Sequence, residues 1–295
     1  MRPWIFWGRP AAPTFAPRNF NNPLPMPSRV LAAPFLILAL VFLYLAWEVD
    51  GWYGTYALFP LLVLAVIYVL SPQIDWWWYS RHPPELKAPL RLLLNRHCGF
   101  YQGLSVEEKT RFRQRMALYL EGREFIAKGM PSVPEDVRAV IALHAVWLTF
   151  HREDFLLEPF DRIVVYPHPF PSPQFPEHWH ASELHEEDGV LLFSAGHAMK
   201  AFLQPARYYN LVLHEYARAF LARYARDLPL KEEEAVWERV EGLAGFGKEQ
   251  IARWRGLPEV ELPAVLLVHF LVFPQRFRRH FPEWHARLER LWRGT

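Results

Sequence analysis

Cysteine is almost missing from this chain of 295 residues. The single Cys98 excludes an intrachain disulfide, which suits a reducing compartment, and with no motif around it the thiol is expected to be buried or idle. An excess of one charge is missing too. Against 33 Lys and Arg stand 31 Asp and Glu, a net +2 without a long run of either sign, so nucleic-acid binding has no electrostatic basis. There is no glycine loop to cradle phosphate, and Ser194-Ala195-Gly196-His197 lacks the pattern of a nucleophile elbow. No internal repeat is present.

Apolar and aromatic residues are plentiful, and two long runs near the N-terminus account for many of them. Residues 1–29 show no periodicity and read as a flexible tail. Val30 to Trp47 and Gly51 to Ile74 are uncharged, and each meets the ~17–25 residues needed for a spanning helix. Glu48-Val49-Asp50 is short enough to make residues 30–74 a membrane hairpin. Neither run carries an ionisable residue, so an anchor is expected rather than an ion path. Arg2, Arg9, Arg18 and Arg29 precede the hairpin, and Arg81, Lys87 and Arg91 follow it. The positive-inside rule then places both termini and the remaining chain in the cytoplasm, on the inner membrane. Trp76-Trp77-Trp78-Tyr79 reads as an interfacial aromatic anchor, and residues 75–90 as a juxtamembrane linker.

Residues 91–295 have the size of one soluble domain. Ser105-Val106-Glu107-Glu108 is a capping box that opens a helix to about Glu121. Arg123 to Ile126 has strand character, and a broad apolar helix starts near Pro134. Arg162 to Tyr166 and Val190 to Phe193 read as strands, with a loop rich in Pro and His between them. Helices are expected over about 206–224, 231–241, 262–273 and 282–292. The fold class is therefore α+β, mainly helical with a small sheet, behind a two-helix hairpin.

The chemistry centres on Leu211-Val212-Leu213-His214-Glu215-Tyr216-Ala217-Arg218. In an H-E-x-x-H zinc peptidase, two histidines at i and i+4 share a helix face and hold the metal, while the glutamate is general base. Here the first histidine and the glutamate stand, and arginine takes the second histidine's place. The plain alternative is a buried histidine beside an ion pair.

Taken in order, Val137–Phe150, Ile163–Pro167, Val190–Ser194, Leu211–Ala217 and the stretch from Pro274 through Phe277-Arg278-Arg279-His280-Phe281-Pro282 resemble the Mlc titration factor A family of zinc peptidases. The resemblance covers roughly residues 111–293 and leaves the hairpin outside. It implies a zincin-like metallopeptidase fold, zinc as cofactor, and binding of peptides or proteins, a transcriptional repressor included. His214 matches the family's first zinc ligand, Glu215 its general base, and Glu261 its third ligand. Two departures stand out: Arg218 replaces the second histidine, and Val268 falls where the family has a further acidic residue.

Arginine stays protonated and has no lone pair for a metal. A cation ~4 Å from the ion would add repulsion of about 4 kcal/mol for each of zinc's two charges at an effective dielectric of ~20. Arg218 is therefore expected at the zinc position, bridging Glu261 and Glu215 by charge-assisted hydrogen bonds. The chain reads as a membrane-anchored pseudo-peptidase with zinc absent or weakly bound, acting through a protein or peptide in its groove. The alternative is an active zinc peptidase whose site is completed by His269, His178, His180 or His185.

Overall fold

The computed structural model describes residues 26–225 and 234–294 and divides the chain at His82/Pro83 into two compact units. The tail expected over residues 1–29 falls largely outside the described residues, but its last three positions already belong to a helix. In the first unit α1 (Pro27–Glu48) and α2 (Tyr53–Arg81) form the expected hairpin. Both are long and apolar enough to cross a membrane, and they expose rows of Leu, Val, Phe, Tyr and Trp. A Cβ on Gly54 would lie 3.7 Å from the Ala46 methyl, so small residues bring the helices close. The far end is closed by Asp75, which is buried and accepts from Ser28 N at 2.9 Å and Ser28 Oγ at 3.0 Å. That carboxylate satisfies an amide at the open start of α1, where Met26 offers no side-chain cap.

The segment 75–90 differs from the linker expected there. Its aromatic run continues α2 to Arg81, and α3 (Ala88–His97) begins soon after. Trp77 and Trp78 are exposed and Tyr79 is buried in this run, and the helix ends at Arg81, just ahead of Pro83-Pro84, since the residue before a proline is disfavoured in helix.

The second unit is mainly helical with one small sheet. After α4 (Gly99–Gln102), the Ser105 capping box opens α5 (Val106–Gly122), with Glu108 N on Ser105 Oγ and Ser105 N on Glu108 Oε2. β1 (Glu124–Ala127), α6 (Glu135–Leu148), β2 (Arg162–Tyr166), β3 (Ser182–His185) and β4 (Val190–Ser194) follow. The sheet order is β1-β2-β4-β3, parallel except for the antiparallel β3 at one edge. β3 lies inside the stretch that reads as loop: its four residues include Ser, Glu and His, which carry no strand signal.

Next come α7 (Ala195–Leu203), α8 (Leu211–Tyr224), α9 (Glu234–Ala244), α10 (Lys248–Arg255), α11 (Leu262–Val272), α12 (Pro274–His280) and α13 (Pro282–Arg293). The helix expected from residue 231 is described from Glu234 onward. Most residues of α6, α8 and α11 are buried, and these three helices form the centre of the core. A helix apolar on all sides needs neighbours on all sides. α8 has them in α6, α7, α11 and β3.

Candidate active site

α8 starts with an Asn210 cap. Its Oδ1 accepts from Leu213 N at 2.9 Å, while its Nδ2 meets His144 Nε2 of α6 at 2.7 Å. The cap fixes where the first turn begins and therefore which side chains face α10 and α11. One turn on, His214 and Glu215 are fully buried. Tyr209 Oη lies 2.8 Å from His214 Nδ1, and His214 Nε2 lies 3.3 Å from Glu261 Oε2. Burial, with the Glu215 and Glu261 charges behind it, holds the Tyr209 hydroxyl well above its ordinary pKa. The Glu261 carboxylate can only accept from Nε2, so on the neutral ring Nδ1 accepts from Tyr209. The ring proton then sits on Nε2 and points at Glu261, leaving no lone pair there.

Arg218 spans the two carboxylates. Its Nη1 donates to Glu215 Oε2 at 2.7 Å, and its Nε lies 2.8 Å from Glu261 Oε1. Glu261 is the N-cap of α11 but makes no side-chain cap bond; its carboxylate reaches across to α8 instead. A second arginine joins them. Arg255, at the end of α10 and 3% exposed, places Nε 3.0 Å from Glu215 Oε1 and Nη1 3.5 Å from Glu261 Oε2. Ser182 Oγ on β3 also donates to Glu215 Oε1, at 2.7 Å. Burial pushes the Glu215 carboxyl up, but the Arg255 and Arg218 guanidiniums outweigh it and hold the group well below the usual carboxylate range. Glu261 is shifted the same way against its burial, by the His214 hydrogen bond and then the two arginines.

Arg255, Ser182 and Tyr209 have roles that the sequence did not announce. Arg255 and Ser182 lie 40 and 33 positions from Glu215 and carry no local pattern that ties them to it. Tyr209 sits beside the histidine-glutamate pair but just before the helix starts, where no side-chain periodicity assigns it a face.

The other histidines are engaged elsewhere. His180 and His185 each place Nε2 2.9 Å from a buried carboxylate oxygen of Glu183. Burial opposes ionisation of Glu183, but hydrogen bonds from both histidines bring its pKa to about 2. His178 is exposed, and its carbonyl accepts from His180 Nδ1 at 2.8 Å. His269 is buried with Nδ1 on Val265 O at 2.7 Å, and among the described residues its Nε2 has no partner.

A cavity of about 250 Å³ opens on the site, its wall formed by Arg218 and Glu261 with Leu221, Ala222, Pro263 and Ala264. The residues present do not fit a zinc ion. Two groups of the right type, His214 and Glu261, stand beside two guanidiniums that offer no lone pair. Among the described residues no group of three or more His, Cys, Asp or Glu is gathered to hold a metal. A catalytic zinc normally takes three protein ligands.

No curated protein matches the chain. Residues 75–220, from the end of α2 through most of the site helix, are similar to the family described as glucose-regulated metallo-peptidase M90.

Proposed function

We propose that the chain is a membrane-anchored pseudo-peptidase of the Mlc titration factor A type, which binds a protein or peptide segment and does not cleave it. One observation carries this reading. Arg218, at the second histidine's position, is ion-paired to both the would-be base Glu215 and the would-be ligand Glu261. A base must be free to take a proton from water. Glu215 instead accepts from Arg218, Arg255 and Ser182, and its lowered pKa makes it a poor proton acceptor near neutral pH.

The cavity beside Arg218 retains the mixed apolar and polar wall that suits a peptide side chain. The hairpin supplies the anchor, with the remaining chain on the cytoplasmic face of the inner membrane.

Metal analysis of the purified full chain tests this reading. We expect far less than one zinc per chain and no hydrolysis of unstructured protein when zinc is supplied. About one tightly held zinc per chain, lost in His214→Ala, would overturn it.

A further inference from the structure

The geometry points to Arg255 as a second lock on the metal position: two arginines acting on the same two carboxylates close the site to zinc, and Arg218 is only one of them. This rests on the pseudo-peptidase reading and says which residues maintain it. The bonding is complementary. Arg218 takes Glu215 Oε2 and Glu261 Oε1, and Arg255 takes Glu215 Oε1 and Glu261 Oε2. Each carboxylate is thus held on one oxygen by one arginine and on the other oxygen by the second. Two carboxylates and two guanidiniums sum to zero charge, so a divalent ion added among them would leave a buried excess of positive charge.

Removing Arg218 alone leaves Glu215 and Glu261 joined through Arg255. Nor is Arg255 free to swing away. Its carbonyl accepts from Ala181 N at 2.7 Å, and its Nη1 donates to Glu259 O at 2.6 Å. Gly256 follows with φ +86°, and a Cβ there would meet the Trp179 carbonyl at 2.2 Å, so the backbone is clamped against the start of β3. Arg218, by contrast, lines the open cavity.

The test uses the full chain in detergent micelles titrated with zinc chloride: the unmodified protein, Arg218→His, and Arg218→His/Arg255→Gln. Zinc per chain after dialysis and the zinc-induced shift in Tm are both read. Zinc should bind the double variant at least about tenfold more tightly than Arg218→His, and raise the Tm of the double variant more than that of Arg218→His. An Arg218→His chain that holds one zinc as tightly as the double variant overturns the proposal. So does a folded double variant that takes none.

Because zinc would restore the lost positive charge, the double variant is also refolded with zinc present. Arg255→Met, which keeps an apolar stem in the same space, is run beside Arg255→Gln. Failure of both to fold with zinc counts against the proposal. Stoichiometric zinc in the unmodified protein would instead overturn the pseudo-peptidase reading, so the two failures are distinguishable.

Discussion

At the scale of single residues, the decisive quantity is how many charged partners Glu215 keeps. It is fully buried and has three donors, Arg218, Arg255 and Ser182. Breaking a buried ion pair by removing one side typically costs about 3–5 kcal/mol, because the remaining charge stays out of water. A single hydrogen bond to a charged group contributes about 1.5–3 kcal/mol. Arg255→Met should therefore lower the urea midpoint clearly more than Ser182→Ala does. Equal losses would mean that Glu215 is held by packing and not by charge. His214, Glu215 and Arg218 were legible in the sequence because four-residue spacing on a helix is a geometric certainty once the helix is granted. Arg255 was not, since its meeting with Glu215 depends on where α10 ends and how Gly256 packs on residues 179–180.

At the scale of elements, β-branched strands and capped helices were readable, and short polar ones were not. β2 and β4 were found from their apolar runs and α5 from its capping box, and the spans expected for α11 and α13 agree with the structure to within a residue at each end. β3 escaped because three of its four residues are polar: Ser182 binds Glu215 at the site, while Glu183 pairs with His180 and His185 away from it. A polar residue likewise sets the register of α8. Asn210 caps the helix and also meets His144, whose Nδ1 faces the Val140 carbonyl at 2.7 Å. Asn210→Ala removes the cap and leaves His144 Nε2 buried and unpaired, so it should cost about 2–3 kcal/mol, more than the ~1 kcal/mol of an ordinary cap. Asn210→Asp keeps the cap acceptor but loses the amide proton aimed at His144. A urea midpoint between those of the unmodified chain and Asn210→Ala is expected. A loss in Asn210→Ala no larger than that of a surface cap would show that the histidine contact is dispensable.

At the scale of the whole molecule, composition announced the hairpin directly, because uncharged runs of that length have few other uses. It was silent on pH dependence, which follows from burial and from the partners each buried group meets. His144 and His269 are buried on α6 and α11, and burial brings each pKa down to about 4 from 6.5. Between those values the unfolded chain binds a proton that the folded chain refuses, so stability falls as pH drops from 6.5 toward 4. From pH 7 to pH 5 each ring should cost about 2 kcal/mol by this linkage. Glu183, Glu215 and Glu261 have lowered pKa values, so their stabilisation is intact above the ordinary carboxylate range and is lost only below it. His185 works in the opposite sense: Glu183 raises its pKa, and that support fades as pH rises through the raised value. Urea midpoints of the full chain should therefore fall between pH 7 and pH 5, before Glu183, Glu215 or Glu261 is protonated. His269→Leu separates the causes, because it removes one titrating ring whose Nε2 has no partner among the described residues. The slope over that range should be smaller in this variant, with His144 and the partly buried His151 and His197, whose pKa values burial also lowers, carrying the rest. An unchanged slope would show that His269 does not contribute to the acid sensitivity.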